Sequence, residues 1–405
     1  MCLDTIVAAS AKIGGRKDRG RLILLSLCAL RRETEGMLMK KIALWVLSAV
    51  AGLLLASCDS GWPYKPVQFV APTPPPPKHA FVSADTVAAF CGTPNVTLLY
   101  NFYVQGGETQ PIYFVRLNDS NAVPIKLKKP IGYELWKSDS PMPSPDGKLV
   151  TYHMFTASGQ CAAFVQKLDS TAVAVLIAEP GSDPHFYKDK QQGALFITYA
   201  DTTGLLLNLL SITSHATWKQ QVDSVSGQPV GSPVQIINKP FYGGISQDGR
   251  YMCTGYANTF IYDFTDSSFH AINSGLQTCN PSISTDPTLT DRMMFLNFAG
   301  VQNLNNYATT PIGEHRDVFI VDKSNSVVAF FDLSTVLDAS KQEWQDPEWS
   351  NNPDYFAALA SDASGNWDVY AVRISTGKTL RINNPANFHL NGTSRPYVFM
   401  GGGAS

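Results

Sequence analysis

The residues that could carry chemistry are scattered rather than grouped. The seven histidines are His79, His153, His185, His215, His270, His315 and His389. None lies in an HExxH motif or at another paired-ligand spacing, so no metal site is expected. His153 falls within an expected strand. His185 follows a proline at a point where inner strands would line a channel. A metal or acid–base site assembled from several segments is one use for these imidazoles; satisfied or exposed rings are the other. Carboxylates recur at Asp146, Asp189, Asp248, Asp286 and Asp354, mostly in turn-forming sequence. Repetition in register points to turn capping rather than acid–base work. No carboxylate pair can be named for glycoside hydrolysis. The sequence holds no GxSxG, and with no hydrolase domain expected a peptidase of the propeller-plus-hydrolase type is excluded. Cys91, Cys161, Cys253 and Cys279 form no CxxC, and they allow three disulfide pairings or simply buried thiols. No catalytic residue and no cofactor is assigned.

What must position these residues is a β architecture. Hydrophobic residues make up 44% of the 405, aromatics 11% and charged residues only 16%, with 30 Gly and 26 Pro. Such a chain has enough apolar surface for a large core and abundant turn formers. Ser144-Pro145-Asp146-Gly147 leads straight into an apolar β-type run, and Ser246-Gln247-Asp248-Gly249 does the same. Here Asp-Gly supplies the turn. Each phrase follows a lead-in of proline or glycine, any residue, then an apolar residue. The lead-ins start at Pro141, Pro184, Gly243, Pro281, Pro347 and Pro396, with a mean spacing of 51 residues. Six units of that length fit six four-stranded antiparallel blades of a β-propeller, an all-β fold. The last lead-in, 396–400, has no blade after it, while the strands at 97–104, 111–117 and 123–127 have none before them. Pairing 396–400 with 97–104 would close the ring and remove an open sheet edge.

The Asp-Gly blades, each followed by a strand such as Asp317-Val318-Phe319 or Asp368-Val369-Tyr370, resemble the TolB-type, WD40-like propeller repeat. The resemblance covers about 90–400 and implies a fold more than an activity. Asp146, Gly147, Asp248 and Gly249 are then repeat turn residues. The family's α/β domain ahead of the propeller has no room in the roughly thirty residues expected before the first blade. No motif allows the family's partner contacts to be mapped here.

The N-terminal region reads as an address. Lys40-Lys41 precede an apolar run from Ile42 to Leu55, too short to span a bilayer with ease but suited to a signal-peptide core. The run ends Leu55-Ala56-Ser57-Cys58, which resembles the lipobox of bacterial lipoproteins. That resemblance implies cleavage before Cys58 and acylation of its thiol, with the acyl chains burying methylenes in the membrane. An ordinary secretory signal with a chance cysteine is the alternative. Residues 1–38 are then a mis-called start, 39–57 the signal peptide, 58–79 a tether and 80–405 the propeller. The tether holds seven prolines within 63–78. An extended polyproline path would set the domain roughly 50 Å from the lipid.

The net charge of −2 becomes a formal −7 over residues 58–405, because 1–57 carry nine Lys/Arg and four Asp/Glu. A mildly acidic body does not favour nucleic acid. Inserts at about 202–218 and 299–316 could build a binding surface, and Trp136, Trp344 or Trp367 could stack on sugars or pack in the core. The expectation is a bacterial cell-envelope lipoprotein that binds a protein or peptide, and more a binder than an enzyme. Carbohydrate binding or processing is the second reading. A convergent cluster of carboxylates or histidines in the channel would favour the second; an apolar, aromatic channel would favour the first.

Overall fold

In a computed structural model the described residues are 80–401, except 102–109, 120, 134–136, 156–160, 190–191, 202–214, 256–257, 298–314, 338–339, 385, 387 and 389–394. They open with helix α1 (Ala84–Cys91) and continue through six antiparallel sheets. The first blade contains β1 (Val96–Asn101), β2 (Ile112–Arg116) and β3 (Ile125–Lys126). The second contains β4 (Lys137–Pro143), β5 (Leu149–Phe155), β6 (Cys161–Lys167) and β7 (Val175–Ala178). The third contains β8 (Ser182–Lys188), β9 (Leu195–Ala200), β10 (Thr217–Val222) and β11 (Pro229–Ile237). The fourth contains β12 (Tyr251–Thr254), β13 (Phe260–Asp263) and β14 (Ser268–Ala271). The fifth contains β15 (Thr278–Ile283), β16 (Met293–Asn297), β17 (Asp317–Val321) and β18 (Val327–Asp332), followed by the short α2 (Leu333–Val336). The sixth contains β19 (Lys341–Trp349), β20 (Tyr355–Asp362), β21 (Trp367–Arg373) and β22 (Thr379–Arg381). The chain is an all-β, six-bladed propeller.

The ring closes through β23 (Tyr397–Met400), which returns to the first blade and pairs with β1 from Val96↔Met400 to Leu99↔Tyr397. The pairing argued from the orphan lead-in is the one present. Helix α1, which the repeat pattern does not announce, fastens the same seam. Ser83 caps its N-terminus by accepting from the Thr86 N–H, and Gly92 ends it at φ 72. Arg373 Nη2 donates to the Phe90 carbonyl at 2.7 Å, and Val82 N–H donates to Ile382 at 2.9 Å.

The blade strands are apolar on both faces because each face packs against a neighbouring blade. In β5, Val150, Tyr152 and Met154 join Leu99, Phe114 and Phe399 of the first blade. Leu149, next in alternation, joins Leu195 and Ile197 of the third. The remaining blade contacts repeat this pattern.

One expectation needs correction. The fourth blade lacks a full innermost strand: its lead-in is reduced to a bridge, Ile245↔Met252. Gly243-Gly244 interrupts it, and Gly244 takes φ +75, which breaks a ladder that side-chain-bearing residues sustain elsewhere. The cysteines follow the second of their two readings: Cys91, Cys161, Cys253 and Cys279 are buried and no disulfide joins them. Trp344 is fully buried in the core, while Trp136 lies outside the described residues.

Candidate binding site at the propeller axis

The site grows out of one repeated backbone irregularity. In four inner strands the ladder slips at the lead-in: between Asp139 and Met142, Ser182 and His185, Cys279 and Ser282, and Gln345 and Glu348. The residue before each lead-in proline takes a left-handed conformation. Ser140 has φ 54, Asp183 43, Asn280 50, Asp346 51 and Arg395 42. Such values are uncommon for non-glycine residues and tend to gather at functional sites. Here they recur in five blades at one height.

Residues before the prolines form a polar network across blades. Arg395 Nη1 lies 2.6 Å from Asp183 Oδ1, which also accepts from the Ser140 hydroxyl at 3.3 Å. Arg395 N–H donates to Asp346 Oδ2 at 3.1 Å. Asp183 N–H donates to His153 Nδ1 at 3.3 Å, and His185 Nδ1 lies 3.0 Å from the Asp183 carbonyl. That contact makes Nδ1 the donor and leaves a lone pair on Nε2, which is buried with no hydrogen-bond partner. Burial would raise the Asp183 carboxyl, but Arg395 and the two histidines hold it below the ordinary carboxylate range. Burial and Arg395 push His185 down to about 4.

Residues after the five lead-in prolines, and after Gly243 in the fourth blade, form the second tier. Met142, His185, Gly244, Ser282, Glu348 and Tyr397, one per blade, line a single cleft. A Cβ on Gly244 would meet the His185 ring at 2.9 Å, so glycine there leaves room for the imidazole. The Ser282 hydroxyl donates to Glu348 Oε1, and Trp349 Nε1–H fixes the Ser282 carbonyl at 3.1 Å. Burial raises Glu348 to about 7, opposed by the Ser282 hydrogen bond and Arg395. Water-sized space in the cleft amounts to about 50 Å³, which admits a few waters or one small group.

The turn residues lie elsewhere. Asp146 accepts from the Ser144 hydroxyl at 2.7 Å and Lys148 N–H at 3.2 Å, while Gly147 takes φ +71. Asp248 accepts from the Ser246 hydroxyl at 2.6 Å and Arg250 N–H at 3.1 Å, with Gly249 at φ +71. Asp189 and Asp286 bind turn amides, and Asp354 binds the Ser375 amide and hydroxyl. Cys58, the expected lipidation site, lies outside the described residues, as do His79 and His389. Of the histidines, the axis gathers His153 and His185. Asp263, Asp266 and His270 bring ligand atoms within 4.8 Å of one another, but Arg250 and Lys323 already neutralise Asp263. The axial acids Asp183, Asp346 and Glu348, with Arg395, were missed by the sequence reading. Their signal is positional: each adjoins a lead-in proline.

No family model matches the chain, nor does any curated protein sequence. Solved structures do. TolB from Acinetobacter baumannii superposes with a TM-score of 0.51 at 12% identity, over 77% of this chain and 69% of that one. A periplasmic gluconolactonase of Pseudomonas aeruginosa gives 0.41 at 12% identity, over 71% and 81%. A prolyl endopeptidase gives 0.43 at 12%, with 75% of this chain spanning 52% of that protein. The molecule is a six-bladed β-propeller, and its fold is TolB-like.

Proposed function

We propose that this chain is a lipid-anchored cell-envelope binding module that holds a protein or peptide at the axial mouth of the propeller. The observation that carries the reading is an axis with little free space, its acid Asp183 paired internally and apolar side chains in its lining. Asp183 is matched by Arg395, and the space left is about 50 Å³, too little for a sugar ring. Met142, Pro143, Ile245, Ile283 and Tyr397 supply the apolar part of its lining and are themselves buried. Lys40-Lys41, the apolar run and Cys58 support export and anchoring.

The gathering of His153, Asp183, His185, Asp346 and Glu348 at the axis is the kind of cluster that favours carbohydrate processing instead. Asp183 is held low while Glu348 is raised to about 7, the kind of separation that an acid–base carboxylate pair uses. The test is a photo-crosslinking side chain at Gln247, on the rim, in the full chain in intact cells. A copy at exposed Val234 on β11 serves as control. A discrete protein adduct at 247 and not at 234 is the expected result. Glycan without protein at 247 supports the second reading, and equal labelling at both positions overturns the first.

A further inference from the structure

We infer that the axial cleft is a seat for a primary ammonium group, a lysine side chain or a free N-terminus, with Glu348 as its counter-ion. The inference rests on the peptide-binding reading and names the group that the peptide would insert.

Charge points to a cation. Asp183, Asp346 and Glu348 converge on the axis, and Arg395 is the guanidinium set among them. Glu348 is hydrogen-bonded by Ser282 but forms no ion pair among the described residues, and an ionised carboxylate in low dielectric favours a cationic partner. Hydrogen-bonding capacity points the same way. Glu348 accepts from Ser282 on one oxygen, and a carboxylate can accept further bonds. The His185 ring borders the same cleft, and its Nε2 is a buried acceptor with no hydrogen-bond partner. A site that offers acceptors suits a ligand that is only a donor, and an ammonium has three donors and no acceptor. Size sets the scale of the ligand group, since about 50 Å³ takes a few waters or one small tip such as an aminomethyl group. A bare metal ion fits less well. Among the described residues the grouping of three carboxylate or imidazole ligand atoms within 4.8 Å is Asp263, Asp266 and His270, away from the axis.

The groups acting on Glu348 are Ser282 on β15, Arg395 before β23 and Asp346 on β19. Burial raises Tyr397 and Cys253, and Glu348 adds to both shifts. With a pKa of about 7, the empty carboxyl is largely protonated at pH 6 and ionised at pH 8. Ammonium binding should therefore weaken about tenfold from pH 8 to pH 6.

The test is calorimetric titration of the full chain in detergent with n-butylammonium, Nα-acetyl-lysine amide and glycyl-glycine amide. n-Butanol, guanidinium and Ca²⁺ are the comparisons. Saturable binding of n-butylammonium at pH 8, weakened about tenfold at pH 6, is expected. The lysine and dipeptide probes then tell a side chain from an N-terminus. Glu348→Gln should lose at least tenfold at pH 8, with thermal unfolding as its check on folding. The inference is overturned if no amine binds at pH 8, if n-butanol or Ca²⁺ binds as well, or if wild-type affinity ignores pH. Failure of the amines with a Gln247 adduct intact defeats this inference alone. Amine binding without an adduct defeats the partner reading instead.

Discussion

Asp368 shows what a buried charge costs in this fold. It is fully buried in the sixth blade, where Lys341 Nζ reaches Oδ2 at 2.6 Å, Arg381 binds the same oxygen and Asn383 donates to Oδ1 at 2.6 Å. Burial raises its pKa, but the hydrogen bonds from Arg381, Asn383 and Lys341 together outweigh that and bring it to about 2. The folded value lies below the ordinary 3.8, so this stability is present above pH 4 and lost as pH falls through about 2. Asp368→Asn leaves Lys341 buried without its counter-ion and should cost on the order of 3–5 kcal/mol. Denaturant unfolding at pH 7 measures it, and a loss below 1 kcal/mol would remove the network from the account of stability. The axial residues are organised similarly but were harder to read. Arg395 and Asp183 are 212 positions apart and meet only because the ring closes. Sequence spacing holds no such information. His185 was legible because it adjoins a lead-in proline, and the same rule applied to all six lead-ins would have exposed Asp183, Asp346, Glu348 and Arg395.

Elements were more legible than residues, for a local reason. The Ser-x-Asp-Gly phrase carries its own hydrogen bonds and its own left-handed glycine, so it specifies a turn wherever it stands. Its glycine also meets tertiary constraint. At Gly147 a Cβ would lie 2.6 Å from the Phe399 ring of β23, whereas at Gly377, φ +66, nothing lies within 4 Å. Gly377→Ala should cost only the backbone penalty, about 1 kcal/mol. Gly147→Ala adds a clash with the closing strand and should cost 1–3 kcal/mol more, of the size seen for overpacking. Comparing unfolding midpoints of the two variants separates the terms, and equal losses would mean that Phe399 yields freely. Helix α1 went unread because eight residues cannot sustain a helix alone. Ser83 and Gly92 are visible caps, but its stability comes from packing Val87 and Cys91 against Tyr355 and Val398, which lie hundreds of positions away. The innermost segment of the fourth blade was over-read: its lead-in matches the repeat, and Gly243 N–H still reaches the Cys253 carbonyl at 3.0 Å, but around the left-handed Gly244 the pairing shrinks to the Ile245–Met252 bridge.

At the scale of the whole molecule, stability depends on the seam. Strand β23 offers Tyr397 and Phe399 to the second-blade core and Val398 and Met400 to the core shared with the sixth. Asn351 grips it as well, donating Nδ2–H to the Met400 carbonyl at 2.6 Å and accepting Met400 N–H at 2.7 Å. The closure was legible in the sequence because a lead-in without a blade needs a blade without a lead-in. Deleting 396–405 should therefore do more than remove apolar area. It bares the edge of β1, which then offers unpaired N–H and C=O groups to any passing strand. The full chain in detergent should keep a constant mass across concentrations, while the truncated chain should form larger species as concentration rises. A synthetic peptide spanning 395–405 should reverse this by refilling the edge. Light scattering after size-exclusion chromatography reads both effects. A truncated chain of constant mass and unchanged unfolding midpoint would show that α1 alone holds the seam through Arg373 and Phe90, and that β23 is dispensable to the ring.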